Sequence, residues 1–74
     1  MENANNVKED IYKLIAGYLG DPTAKTFLSF YRDETIPIYS DAALKILGNF
    51  IGIDKAKDEL KLIFIRNHTV HTYV

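Results

Sequence analysis

Apolar residues recur along this chain at the spacing of a helix. Val7, Ile11, Leu14, Ile15 and Tyr18 fall at i, i+4, i+7, i+8 and i+11, with Leu19 at the edge of the stripe, while Glu9, Asp10 and Lys13 take the other side. Asn6 is placed to cap such a helix, and Glu9, three residues on, to complete a capping-box-like pair. Gly20 suits the left-handed residue that closes it. Asp21-Pro22 then reads as a new N-cap followed by a first-turn proline. It opens a second helix that runs to about Arg32 and turns Ala24, Phe27, Leu28 and Tyr31 inward.

Residues 33–39 (DETIPIY) read as a loop, because Pro37 cannot continue a helix and pushes Ile36 toward extended backbone. Ile36 and Ile38 are expected to lie over the end of the core. Ser40 is the expected N-cap of a third helix, with Asp41 in its first turn, a stripe of Ala43, Ile46, Leu47, Phe50 and Ile51, and Gly52 at its end. Asp54 is placed to cap a fourth helix, whose inner face is Ala56, Leu60, Ile63 and Phe64. Residues 67–74 (NHTVHTYV) carry neither stripe nor stop signal, which predicts a flexible tail or an extended segment pairing with a partner chain. Their end, Thr72-Tyr73-Val74, has the form of a C-terminal peptide that a PDZ domain takes up by strand addition. The expected organisation is a flexible N-terminus over 1–6, one helical domain over 7–66 built of hairpins 7–32 and 40–66, and that tail.

The second hairpin repeats the first. Shifted by 32 positions, residues 11–31 lie over 43–63, so that Lys13 meets Lys45, Gly20 meets Gly52, Ala24 meets Ala56, Lys25 meets Lys57 and Leu28 meets Leu60. One device slips by a residue, since Asp54 lies over Pro22 rather than Asp21, and the two turns therefore need not superpose. The prediction is an all-α fold, a four-helix bundle of two repeated helical hairpins related by an approximate two-fold. The matching positions are mostly stripe residues, turn glycines and small alanines, which are packing requirements. Gly17 and Gly48, one turn before the helix ends, each cost about 1 kcal/mol relative to Ala and are expected where helices approach closely.

Composition narrows the class. Seventy-four residues hold one core and no second one, and a domain of this size is marginal alone. There is no cysteine, which excludes disulfides, thiolate metal sites and cysteine nucleophiles and points to an intracellular, cytoplasmic protein. The first ten residues lack the basic and apolar regions of a signal peptide, and no apolar run approaches the roughly 18–20 residues of a membrane span. Net charge is −1, split as −2 over residues 1–34 and +1 over residues 35–74, so neither half is a basic arm for nucleic acid.

Sites for chemistry are scarce. His68 and His71, at i and i+3, would share one side of a helix, but the nearest acids, Asp58 and Glu59, are two to three turns away, so no metal site is expected. The acid pairs Asp33-Glu34 and Asp58-Glu59 are adjacent, and adjacent side chains diverge on a helix instead of sharing a substrate. Ser29 and Ser40 have no histidine near them in sequence and no nucleophile-elbow turn. No enzyme and no cofactor are expected.

The turns carry one resemblance. A helix, a turn closed by glycine, and alanine four residues later (Gly20-Asp-Pro-Thr-Ala24 and Gly52-Ile-Asp-Lys-Ala56) resembles half of a helix-hairpin-helix motif over about ten residues of each repeat. In that family, two such hairpins pair and bind the DNA sugar-phosphate backbone through turn amides and a basic residue. By the resemblance, Gly20 and Gly52 would be backbone contacts and Lys25 and Lys57 phosphate partners. The family's turn has two glycines around one apolar residue, and here the first of them is Tyr18 or Phe50.

A stronger signal is surplus apolar surface. Residues 60–65 (LKLIFI) are nearly all apolar, yet a bundle needs only one face of them; Leu62 and Ile65 project opposite Leu60 and Ile63, among Lys55, Asp58 and Arg66. The expected function is a small non-catalytic helical module for protein–protein interaction or homodimer formation. Leu62 and Ile65 are its contact surface, Lys61 and Arg66 its polar rim, and a degenerate helix-hairpin-helix-like nucleic-acid binder is the alternative. A membrane-surface helix is not expected, since cations are not concentrated on one face.

Overall fold

The computed structural model describes the backbone of residues 4–72 and the side chains of residues 6–67. Four helices follow one another: α1 Ala4–Leu19, α2 Asp21–Tyr31, α3 Ile36–Ile51 and α4 Ile53–Thr72. The fold is all-α, a four-helix bundle.

Two of the three connections are a single glycine. Gly20 and Gly52 both have φ +94°, with ψ 158° and 144°. This is positive φ with extended ψ, not the left-handed helical closure expected from the sequence, and glycine alone adopts it cheaply. The Gly20 N–H donates to the Ala16 carbonyl (2.9 Å) and its carbonyl accepts from the Ala24 N–H (3.1 Å); Gly52 does the same with Gly48 (3.0 Å) and Ala56 (3.0 Å). Each glycine thus closes one helix with its N–H and opens the next with its carbonyl. The helices start directly after it, so Asp21 and Asp54 are not caps but first-turn acids, beside the positive helix end. The one-residue slip in the repeat does not reach the backbone, and the two turns share geometry.

The predicted loop over 33–39 is mostly helix. α3 starts at Ile36, with Thr35 at its N-cap (φ −68°, ψ 161°) and Pro37 in the first turn, where the missing N–H costs nothing. Ser40 is therefore not the cap; it lies in the second turn and its hydroxyl donates to the Pro37 carbonyl (3.2 Å). The earlier start carries Tyr39 into the core, fully buried, with its hydroxyl donating to the Lys8 carbonyl (3.2 Å). Burial, with Tyr12 nearby adding to it, pushes the Tyr39 phenol above the usual tyrosine value. α1 also starts early, which puts Asn6 inside the helix, and Glu9 pairs with Lys13 (3.8 Å) instead of closing a capping box. α4 passes the boundary expected at 66 because no glycine or proline stops it. The side chains of His68 and His71, and residues 73 and 74 of the C-terminal peptide, lie outside the described residues.

Cross-links between helices set the topology. Lys8 Nζ donates to the Arg32 carbonyl (2.7 Å), so α2 returns antiparallel to α1. Tyr18 donates to Glu59 (2.9 Å), while Arg66 (3.3 Å) and Asn67 (3.1 Å) donate to Asp10, so α4 is antiparallel to α1 too. Tyr39 bonding to Lys8 sets the start of α3 beside the start of α1. The order is up-down-up-down, which brings the Gly20 and Gly52 turns to the same end.

The core is Val7, Ile11 and Ile15 of α1, Ala24 and Phe27 of α2, Tyr39, Ala43 and Leu47 of α3, and Ala56, Leu60 and Ile63 of α4, with no buried charged residue among those described. α1 packs on all three other helices and α4 also packs on α3. α2 is different. It packs extensively on α1 alone and meets α3 through Phe27, whose ring stands edge-on to that of Tyr39 with centroids 5.0 Å apart. The hairpins are thus unequal, with α2 11 residues long at the margin and α4 20 residues long between two neighbours.

Candidate functional site

Leu62 and Ile65 face outward, at 57% and 52% exposure, because Ala56, Leu60 and Ile63 already give α4 its inner face. Lys61 is exposed beside them. Arg66 is tied to Asp10 of α1 (3.3 Å), which fixes one edge of this patch. The structure therefore brings the four predicted contact residues together on the outer side of α4.

More apolar surface lies outside the core. Phe50, assigned to the inner stripe of α3, is 61% exposed, and Phe30 of α2, which belonged to no predicted inner face, is 72% exposed. Phe50 stands in the last turn of α3, at the Gly52 end of the bundle, where Ile51 beside it packs against the core instead. Between α2 and α3 lies an open cavity of about 430 Å³, lined by Pro22, Thr26, Phe27, Phe30, Tyr31 and Ile46 among others, with no charged side chain in its walls. It exists because α2 and α3 are held together mainly at Phe27 and Tyr39. The signal that could have found it is the spacing Pro22, Thr26, Phe30, an uncharged row four residues apart on the outside of a short helix.

A second, smaller cavity of about 290 Å³ is lined by Lys8, Glu9, Tyr12, Leu28, Arg32 and Tyr39. Its polar groups are partly committed to the fold. Lys8 caps the end of α2 at the Arg32 carbonyl and stands 5.4 Å from the Tyr39 ring centroid, and Glu9 pairs with Lys13. Among the described residues, no group of three or more His, Cys, Asp or Glu is placed to hold a metal ion.

The alternative contacts fare differently from what the resemblance implies. Gly20 and Gly52 share one end of the molecule, as paired hairpins would, but both amides already donate to helix carbonyls, those of Ala16 and Gly48. Lys25 and Lys57 are exposed and make no ion pair among the described residues. With Lys55 they stand among Asp21, Asp54 and Asp58, so this end carries no net positive face. The other polar identity of the repeat is structural: Lys13 pairs with Glu9 (3.8 Å) and Lys45 with Asp41 (3.3 Å), equivalent surface pairs one helical turn apart. No described helix is long and apolar enough to cross a membrane. No protein-family model, curated protein or solved structure matches this chain.

Proposed function

We propose that this protein is a small non-catalytic interaction module, a helical bundle that docks other polypeptide on its outer apolar side chains in the cytoplasm. One observation carries the reading. Phe30, Ile38, Phe50, Ile53, Leu62 and Ile65 remain about half exposed or more, although eleven side chains among the described residues are buried in the core and further apolar ones pack against it. Apolar anchors within a charged rim are the anatomy of a protein interface, and on α4 Leu62 and Ile65 have Lys61 and Arg66 as that rim. The absence of cysteine supports the cytoplasmic assignment.

The nucleic-acid alternative has less behind it, because the turn amides are occupied and the turn lysines are matched by aspartates. The test is affinity capture from the native cell with the wild type and with Leu62→Asp/Ile65→Lys, both checked for helicity by circular dichroism. The expected result is a defined polypeptide retained by the wild type and lost by the helical double variant. Equal capture by the two proteins would contradict an interface on α4.

A further inference from the structure

We propose that the cavity where α1, the end of α2 and the start of α3 meet binds a small aromatic carboxylate, with the ring against Tyr12 and Tyr39 and the carboxylate at Lys8 and Arg32. The site shares no residue with the α4 patch, and the proposal does not rest on docking there.

The walls set the body of the ligand. Tyr12, Tyr39 and Leu28 line a cavity of about 290 Å³. A closed apolar cavity of about 150 Å³ takes benzene, so this volume suits one or two fused rings. Tyrosine rings pack ligand rings offset or edge-on. The Tyr39 wall is preformed, because its ring stands edge-on to Phe27 (5.0 Å between centroids) and its hydroxyl donates to the Lys8 carbonyl (3.2 Å).

The cations set the head group. Lys8 Nζ donates to the Arg32 carbonyl (2.7 Å) and stands 5.4 Å from the Tyr39 ring centroid, so the ammonium is held in place. An ammonium has three donors, and this contact takes one while covering the negative end of α2. The Arg32 guanidinium makes no hydrogen bond or ion pair among the described residues. Its forked donors match the two oxygens of a carboxylate. Glu9 is the one acid in the walls, and it pairs with Lys13 (3.8 Å).

The other described cavities lack this combination. The α2–α3 groove has aromatic walls and no charge. The cavity holding Asp10, Lys13, Glu59 and Arg66 balances two acids against two cations, with Arg66 already on Asp10 (3.3 Å). A third sets Lys57 and Lys61 against Asp41, but it has a single ring, Phe64, and both lysines are exposed without a fixed contact. Its lysines therefore serve as the control.

The test is titration of 2-naphthoate into isotope-labelled wild type, Arg32→Glu, Lys8→Gln and Lys57→Glu/Lys61→Glu, with 2-naphthylmethanol as the uncharged counterpart and amide shifts read by NMR. The expected result is saturable shifts centred on the lining residues of α1, α2 and α3, with a dissociation constant on the order of 1 mM for so small a ligand. Arg32→Glu should weaken binding at least tenfold, Lys8→Gln and the uncharged probe severalfold, and the Lys57/Lys61 variant not at all. Arg32 is exposed, and Lys8→Gln keeps an N–H for the Arg32 carbonyl, so each variant covers for the other if one fails to fold. The absence of saturable shifts up to about 20 mM 2-naphthoate overturns the proposal. Equal binding of the uncharged probe overturns it too, as does binding that the Lys57/Lys61 variant abolishes and Arg32→Glu leaves intact.

Discussion

Gly52 sits at φ +94° with open space where a Cβ would stand, so a side chain there meets backbone strain and no clash. Gly52→Ala should cost about 1–3 kcal/mol in urea unfolding. Gly17 is the opposite case, a helix-interior glycine with nothing within 4 Å of its absent Cβ, and Gly17→Ala should stabilise by about 1 kcal/mol. The sequence assigned close helix approach to both Gly17 and Gly48. Only Gly48 has it, with Ile53 Cδ1 2.8 Å from its would-be Cβ, because a pattern of small residues does not say which side of a helix meets a neighbour. Tyr39 was illegible for a related reason. Placed in a loop it has no face, yet helix geometry buries it wholly. Below about pH 10 folded and unfolded chains both keep its phenolic proton; above that the unfolded chain releases it first, so stability falls as pH climbs toward the raised folded value. Tyr39→Phe should cost about 1 kcal/mol at neutral pH, for the lost bond to Lys8, and should flatten part of the alkaline loss in unfolding midpoints.

At the scale of elements, the number and order of the helices were legible and their ends were not. Pro37 shows why. The same residue that forbids a helix interior opens one when it falls in the first turn, and Thr35-Ile-Pro37 opens α3 much as Asp21-Pro22 begins α2. The slipped aspartate left open whether the two turns superpose; Gly20 and Gly52 share φ and the same pair of backbone hydrogen bonds. The α4 patch was legible because five apolar residues in LKLIFI exceed what one face can hide. The α2–α3 groove was not, since it depends on which helices fail to pack together. Because the turn amides are bonded within the bundle, a labelled DNA duplex at low salt should show no mobility shift at tens of micromolar protein. A shift that weakens steeply with salt would instead make the turn lysines phosphate contacts.

The whole molecule divides its apolar side chains between two jobs. One row on each helix, from Val7 to Ile63, builds the bundle; another set, from Phe30 to Ile65, is left outside it. The first set accounts for the fold and the second for the proposed docking. That division rests on the outer residues adding nothing to the monomer. The most direct measurement is urea unfolding, at low micromolar concentration, of Phe30→Glu and Leu62→Asp/Ile65→Lys beside the wild type and Leu47→Ala. The outer variants should lie within about 0.5 kcal/mol of the wild type, as surface substitutions do, while Leu47→Ala, which opens a cavity in the core, should lose about 2–5 kcal/mol. A loss of more than about 2 kcal/mol in the outer variants would place these side chains in the core and contradict the account.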